Sequence, residues 1–598
     1  MKRFIQSSAS TSIQMGLLLM LLLVAAVQTS LANTNHIIKE NLKPGTTDWQ
    51  LTNPADNRQI EGYASLTSVP QHGFIDLFVS TADATYTLSI YRMGWYGGTG
   101  GRSVLGPKTL PGMLQVTPDP DPVTGIIECH WIQPFVIQIP YSWLSGIYLA
   151  KLHGNDSGKE SYITFTVRDS RRAKLVYQQS VITYQAYNPW PGGPGNGWVG
   201  VSLYEFNTNT AFQGLPGYRR GKEGGIQAAA VSFSRPYRTD LIANTPVTIY
   251  SQVVSPYYGM GAGDFLHNIA PAGMDFNLVR WMEHEGYDVT YITDVDTHED
   301  INQLLRAKGY ISGGHDEYVS EQMKANIVAA RDLGIHLGFF GANYIYWPVE
   351  LLPDLNGAPN RTISLAPTNR CVIPHAGETD LNDPSSPFDI NPAETFACSV
   401  NSDCAAGEAC KSKESDYASH LDSSGVSETE ERVGGGMWDL DRAVIDSDDI
   451  VVPPFAPVNH WVFANTGLHA NDVIPGLIGT EYNETDLNPA TTPPGLLMLI
   501  YMPAPNFTES PPFYYPYDWA MTIYQANSGA WVFNVATNQW SWGLDDYFTG
   551  LTTPDGANNG PAFRVQCGQG ADHPGLASCR NPAIEQITRN VLNKFIGR

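Results

Sequence analysis

At 598 residues the chain is too long for one hydrophobic core, so two or more domains are expected. A formal charge of −24, from 35 basic and 59 acidic residues, repels phosphate backbones and argues against a nucleic-acid partner. Charged residues make up only 16%, and 56 Gly and 42 Pro indicate a folded protein with many turns and long loops.

The first residues read as a targeting segment. Lys2 and Arg3 precede a polar stretch, Leu17 to Val27 form an apolar core, and Ser30-Leu31-Ala32 supplies small residues for cleavage. The apolar run is short for a membrane span, and no later run approaches that length. The expectation is a signal peptide over 1–32 and a secreted, periplasmic or extracellular protein, with no membrane attachment after cleavage. Cysteine usage fits an oxidising compartment. Cys371, Cys398, Cys404 and Cys410 share one polar region, Cys567 and Cys579 flank a short loop, and Cys129 is left over. Cys398, Cys404 and Cys410 lack the paired C-x2-C spacing or nearby histidines of a zinc site, so disulfides are expected there.

Residues 33–168 read as all-β. Phe74–Val79, Tyr86–Tyr91, Phe135–Ile139 and Tyr162–Val167 alternate with period two between turn residues, which predicts a β-sandwich. The glycine-rich stretch Tyr91–Arg102 lacks the Lys-Ser/Thr and strand–helix context of a phosphate loop. It is expected to be a hairpin or a loop packed on the next domain.

Residues 169–598 read as an α/β domain of Rossmann-like or flavodoxin-like type. Leu175–Tyr177, Val247–Tyr250, Val289–Ile292, Gly309–Gly314 and Ile335–Phe340 are its candidate strands. The most informative stretch is Gly309-Tyr-Ile-Ser-Gly-Gly-His315-Asp316-Glu317-Tyr-Val-Ser320. A buried strand ends in two glycines, polar residues follow, and Ser320 caps a helix carrying Met323, Ile327 and Ala330 on one face. Ligands of parallel sheets bind off the carboxyl ends of the strands, where His315, Asp316, Glu317 and Asn343 fall. The same residues would also serve simply to cap a helix and satisfy a loop.

Tyr184–Trp190 and the Gly/Pro-rich run to Trp198 read as a long aromatic loop, and Val231–Tyr237 is a second polar-aromatic segment. About 353–436, polar and bearing four cysteines, reads as an insertion or lid stapled by disulfides. The chain closes in an amphipathic helix with Ile584, Ile587, Val591 and Phe595 on one side.

No Gly-x-Ser-x-Gly elbow stands in a strand–helix context, no cysteine sits at the strand end, and no His-x-x-x-His pair marks a zinc hydrolase. A hard, oxygen-rich metal site of carboxylate and phenolate is a fourth option, which the aromatic segments at Tyr187 and Tyr237 allow. Ser312–Tyr318 with Phe339–Asn343 resembles the large (beta) subunit of N,N-dimethylformamidase and its relatives. Gln185–Asn188, Arg235-Pro236-Tyr237, Gly479–Tyr482 and Trp540–Leu544 support the resemblance, which covers most of residues 60–598 except 353–436.

The resemblance implies one Fe(III) held by two tyrosines and a glutamate. Carried over, the glutamate is Glu317 and the tyrosines are Tyr237 and Tyr187, with Tyr184 and Tyr204 as neighbours that could replace Tyr187. His315, Asn343 and Glu481 would line the site and handle protons or substrate. Two phenolates and a carboxylate would offset a trivalent charge, and a hard cation favours anionic oxygen. The implied activity is hydrolysis of the C–N bond of a small-molecule amide. A homo-oligomer or a small partner subunit is compatible with it. The β-sandwich and loop aromatics also suit a carbohydrate-active or carbohydrate-binding protein. A non-catalytic member retaining the fold is the third reading.

Overall fold

The computed structural model describes residues 35–121, 124–191, 202–203, 226–238, 261–266, 275–365 apart from 315, 343 and 346, 458–475 apart from 471, 493–502, 519–547 apart from 539 and 546, and 580–598, together with short strands at 218–220, 369–374, 388–389, 409–412 and 442–445. The candidate strand Val247–Tyr250 lies outside them.

The N-terminal region is β-rich but opens with a helix, α1 (His36–Asn41), where an all-β segment was expected. Asn35 explains it: its side chain accepts from the backbone N–H of Ile37 and Ile38, an N-cap that a strand reading overlooks. Then follow β1 (Ile60–Ala64), β2 (Ser68–Pro70), β3 (Phe74–Thr81), β4 (Thr85–Met93), β5 (Gly101–Pro111), β6 (Phe135–Gln138), β7 (Gly146–Gly154) and β8 (Glu160–Arg168). They form two sheets, ordered β1-β3-β6 and β2-β8-β7-β4-β5. Alternation aims Ile75, Leu77 and Val79 of β3, with Leu88 and Ile90 of β4 and Tyr148, Ala150 and Leu152 of β7, into one shared core.

The centre of the next region is a nine-stranded sheet, ordered β13-β9-β14-β16-β26-β25-β24-β22-β23. Its strands are β9 (Leu175–Gln179), β13 (Val289–Thr293), β14 (Gly309–Gly314), β16 (His336–Gly341), β22 (Arg442–Ile445), β23 (Val473–Pro475), β24 (Leu497–Met502), β25 (Trp519–Gln525) and β26 (Trp531–Asn534). From β13 to β26 neighbours run parallel; beyond β26 they run antiparallel. The α/β character expected from sequence is present, but the sheet is mixed. The tight turn between β25 and β26, closed by Ala526 N–H donating to Ala530 O at 2.8 Å, permits only an antiparallel pair.

A separate four-stranded sheet is ordered β12-β18-β17-β15. It comprises β12 (Ala230–Ser232), β15 (Tyr318–Ser320), β17 (Trp347–Leu352) and β18 (Thr362–Leu365). Elsewhere β10 (Tyr218–Arg220) pairs with β11 (Ile226–Ala228), and β19 (Asn369–Pro374) pairs with β20 (Phe388–Asp389) and β21 (Ala409–Ser412). The β19–β21 register sets Cys371 opposite Cys410. Cys398, Cys404, Cys567 and Cys579 lie outside the described residues, and Cys129 is a buried free thiol.

The helices are α2 (Val181–Tyr187), α3 (Ala262–Leu266), α4 (Asp275–His284), α5 (Asp294–Glu299), α6 (Asn302–Leu305), α7 (Glu321–Asp332) and α8 (Pro582–Ile596). Ser320 caps α7 by accepting from Met323 N–H, and left-handed Gly334 follows the helix end. Asn581 caps α8, whose Phe595 packs on the bare backbone of Gly309 in β14 and Gly338 in β16.

The glycine-rich turn between β4 and β5 packs against α4. A Cβ at Gly100 would lie 3.2 Å from Arg280 Nη1 and 3.3 Å from the Phe276 ring. Beside it, Arg92, Tyr96, Glu40 and Glu283 form a buried polar cluster, with the partly exposed Arg102 bonded to Glu40.

Candidate functional site

The candidate site begins where β9, β13 and β14 end, at the carboxyl edge of the parallel half of the sheet. Residues 181–187, whose Tyr184–Tyr187 part was expected to open a long loop, form helix α2. Its β-branched and aromatic residues are weak helix formers, so local propensity gives no signal. Complete burial of all seven side chains supplies the stabilisation instead.

Helix α2 faces the loop after β14. Thr183 Oγ1 accepts the backbone N–H of Glu317 at 3.1 Å and of Tyr318 at 3.4 Å. One turn on, the Tyr187 hydroxyl donates to Glu317 Oε2, and both residues are buried. The Tyr187 ring stands edge-on to Tyr318, centroids 5.9 Å apart. Tyr184, on the same helix, instead donates to Asp275. Beside Glu317, the Asp316 carboxylate accepts from Gln178 Nε2 at 2.8 Å and from the Ser312 hydroxyl, so the loop is tied back to β9 and β14.

Tyr237 arrives on the segment after β12, which is bonded to the end of α2. Asn188 Oδ1 accepts from Arg238 N–H at 3.0 Å, and Asn188 Nδ2 donates to Pro236 O at 2.9 Å. Arg235 completes the clasp, donating to Asn188 O at 2.7 Å and Trp190 O at 3.3 Å. The residues flanking Tyr237 are thus bonded to the residue following Tyr187. Tyr237 is half-buried, and Gly261, at φ +73°, lies flat against its ring. Burial, then the nearby Asp264 and Asp294, push the Tyr237 hydroxyl well above the usual phenol range. Burial and the Asp316 carboxylate push Asp294 up likewise.

His315, Asn343, Glu481 and Tyr204 lie outside the described residues. Sequence reasoning missed Thr183, Asp275, Asn188 and Arg235. Only Asn188 and Arg235 lay inside the aromatic motifs already singled out. Among the described residues no three His, Cys, Asp or Glu side chains are grouped to hold a metal. The donors that do meet are a phenol and a carboxylate, both hard oxygen, which suit a trivalent cation.

The sequence model of the N,N-dimethylformamidase beta subunit-like family, C-terminal region, matches residues 87–555. The N,N-dimethylformamidase beta subunit of Paracoccus aminophilus is 29% identical over 245 residues, covering 38% of this chain and 29% of that protein. The protein of the same name from an Alcaligenes species is 27% identical over 244 residues, with the same coverage of 38% and 29%. The chain therefore aligns with less than a third of the length of these curated relatives. With the family match running through most of the sequence and through every segment that builds the site, this chain belongs to the N,N-dimethylformamidase beta subunit-like family.

Proposed function

We propose that this chain is an iron-dependent amidohydrolase that cleaves the C–N bond of a small linear amide. The observation that carries the reading is the Tyr187 hydroxyl set against the Glu317 carboxylate at the sheet's carboxyl edge, with Tyr237 on the adjoining segment. The names of the relatives support the reaction class.

Tyr187, Tyr237 and Glu317 would hold one ferric ion, which when bound supplies Lewis acidity toward water and an amide carbonyl. Thr183 fixes the backbone of Glu317, and Asn188 with Arg235 holds the two tyrosine-bearing segments side by side. His315 or Glu481 takes a proton from the attacking water and returns it to the amine nitrogen as the C–N bond breaks. Asn343 donates a hydrogen bond to the oxygen on which charge develops. The relatives are named as subunits, so a partner subunit or a homo-oligomer belongs to the same proposal. So do secretion after cleavage near Ala32 and disulfides in the 371–410 region. No helix among the described residues is long and apolar enough to cross a membrane.

The test is metal analysis and visible spectroscopy of protein expressed with iron. Phenolate on ferric iron absorbs in the visible, so the pure protein should be coloured. Tyr187→Phe, Tyr237→Phe and Glu317→Gln should each lower iron content and bleach or shift the band. His315→Ala should keep the metal and lose amide turnover. Colourless wild-type protein without iron would reject the site.

A further inference from the structure

One polar group beside the candidate site that the mechanism leaves unused is Asp275, fully buried in the first turn of α4. Tyr177 of β9 donates its hydroxyl to Oδ1, and Tyr184 of α2 donates to Oδ2. Its partners among the described residues are therefore two phenols and no cation.

The same group explains the two glycines that end β14. A Cβ at Gly313 would lie 2.6 Å from the Tyr177 hydroxyl oxygen, and one at Gly314, at φ +70°, would lie 2.9 Å from Asp275 Oδ2. The Tyr177–Asp275–Tyr184 group fills the space directly over the strand end, and only glycine leaves room for it. Three residues beyond Gly314 is Glu317, and three residues beyond Tyr184 is Tyr187. Asp275 thus abuts the end of the strand that leads into one proposed ligand and bonds the helix that carries the other.

We propose that Asp275 is a positioning residue, which holds α2 against the end of β14 so that the Tyr187 hydroxyl and the Glu317 carboxylate are presented together. The inference rests on the reading of those two residues as metal ligands. Among the described residues no cation meets this carboxyl, and burying a carboxylate in that way is costly. Burial pushes its pKa up to about 8, against the two phenol hydrogen bonds, with Asp316 and Asp264 adding to the rise.

The experiment uses the full chain and two variants, Asp275→Asn and Tyr184→Phe. The second removes one hydrogen bond with little change in volume and guards against misfolding of the first. Amide hydrogen exchange without metal is read at Glu317 and Tyr318, whose N–H groups rest on Thr183. Iron affinity and the visible band are read after loading. The expected result is exchange at least tenfold faster at those two amides, unchanged exchange in α7, and iron bound at least tenfold more weakly with a shifted band. Unchanged exchange at Glu317 and Tyr318, or faster exchange with wild-type iron affinity and band, overturns the proposal. Wild-type protein that takes up no iron removes the ligand reading, and this inference with it, before any variant is compared.

Discussion

Arg92 of β4 and Glu283 of α4 meet in a salt bridge of 2.7 Å with both side chains 0% exposed. Although burial opposes the charged form, Glu283 and the surrounding phenol and carboxylate groups hold the Arg92 guanidinium well above its usual range. The pair is further satisfied by Ser145 O, the Tyr96 and Tyr291 hydroxyls and Asn41. It links the N-terminal β-rich region to the helix whose first residue is Asp275.

Removing one partner leaves the other charge buried and uncompensated. Glu283→Ala should cost about 3–5 kcal/mol. Replacing both by apolar residues of similar volume, as in Arg92→Met with Glu283→Leu, should cost less than the sum of the single changes. Denaturant midpoints of the three variants check this. A single variant within about 1 kcal/mol of wild type would show that water reaches the pair.

Gly261 is a second place where a small change should be felt at the site. Its φ of +73° disfavours any side chain, and a Cβ there would run into the Tyr237 ring. Gly261→Ala should cost about 1–2 kcal/mol from backbone strain alone. It should also displace the Tyr237 ring. The expected readout is a shifted visible band and weaker iron binding, with Gly357→Ala, where nothing lies within 4 Å of the new Cβ and φ is +85°, as the control for strain without contact. Equal spectra for the two variants would refute the contact.

Asp275 should leave a signature in stability against pH. Its folded pKa, pushed up by burial to about 8, lies above the ordinary aspartate value. Between those two values the folded protein holds a proton that the unfolded chain has released. The contribution is therefore fully present below the unfolded pKa and is lost as pH rises through about 8. The slope from this one group is at most about 1.4 kcal/mol per pH unit. Asp294, raised by burial and by Asp316, acts in the same direction, so the comparison must be with Asp275→Asn. Metal-free wild type should lose stability from pH 5 to 8 more steeply than the variant. Parallel curves would mean that Asp275 does not titrate in this range.

The elements whose signals are local can be read directly from the residues. Gly309–Asp332 was legible as strand, loop and capped helix because apolar runs, a glycine pair and Ser320 act through neighbours a few residues apart. Period-two alternation in β3 and β4 and the C-terminal amphipathic helix were legible for the same reason. The family was legible because its motifs lie in contiguous stretches, each short but jointly specific.

What those elements bring together follows from packing across the whole chain. Helix α2 was invisible because Val181, Ile182, Thr183 and its tyrosines favour other conformations, and only complete burial makes the helix stable. The clasp of Asn188 and Arg235 spans 47 residues, the Tyr184–Asp275 bond 91, and the Tyr187–Glu317 bond 130. Contacts of that separation leave no periodicity in the chain. The closing of the loops that unite them is set by packing of the whole sheet, which no single stretch of sequence encodes.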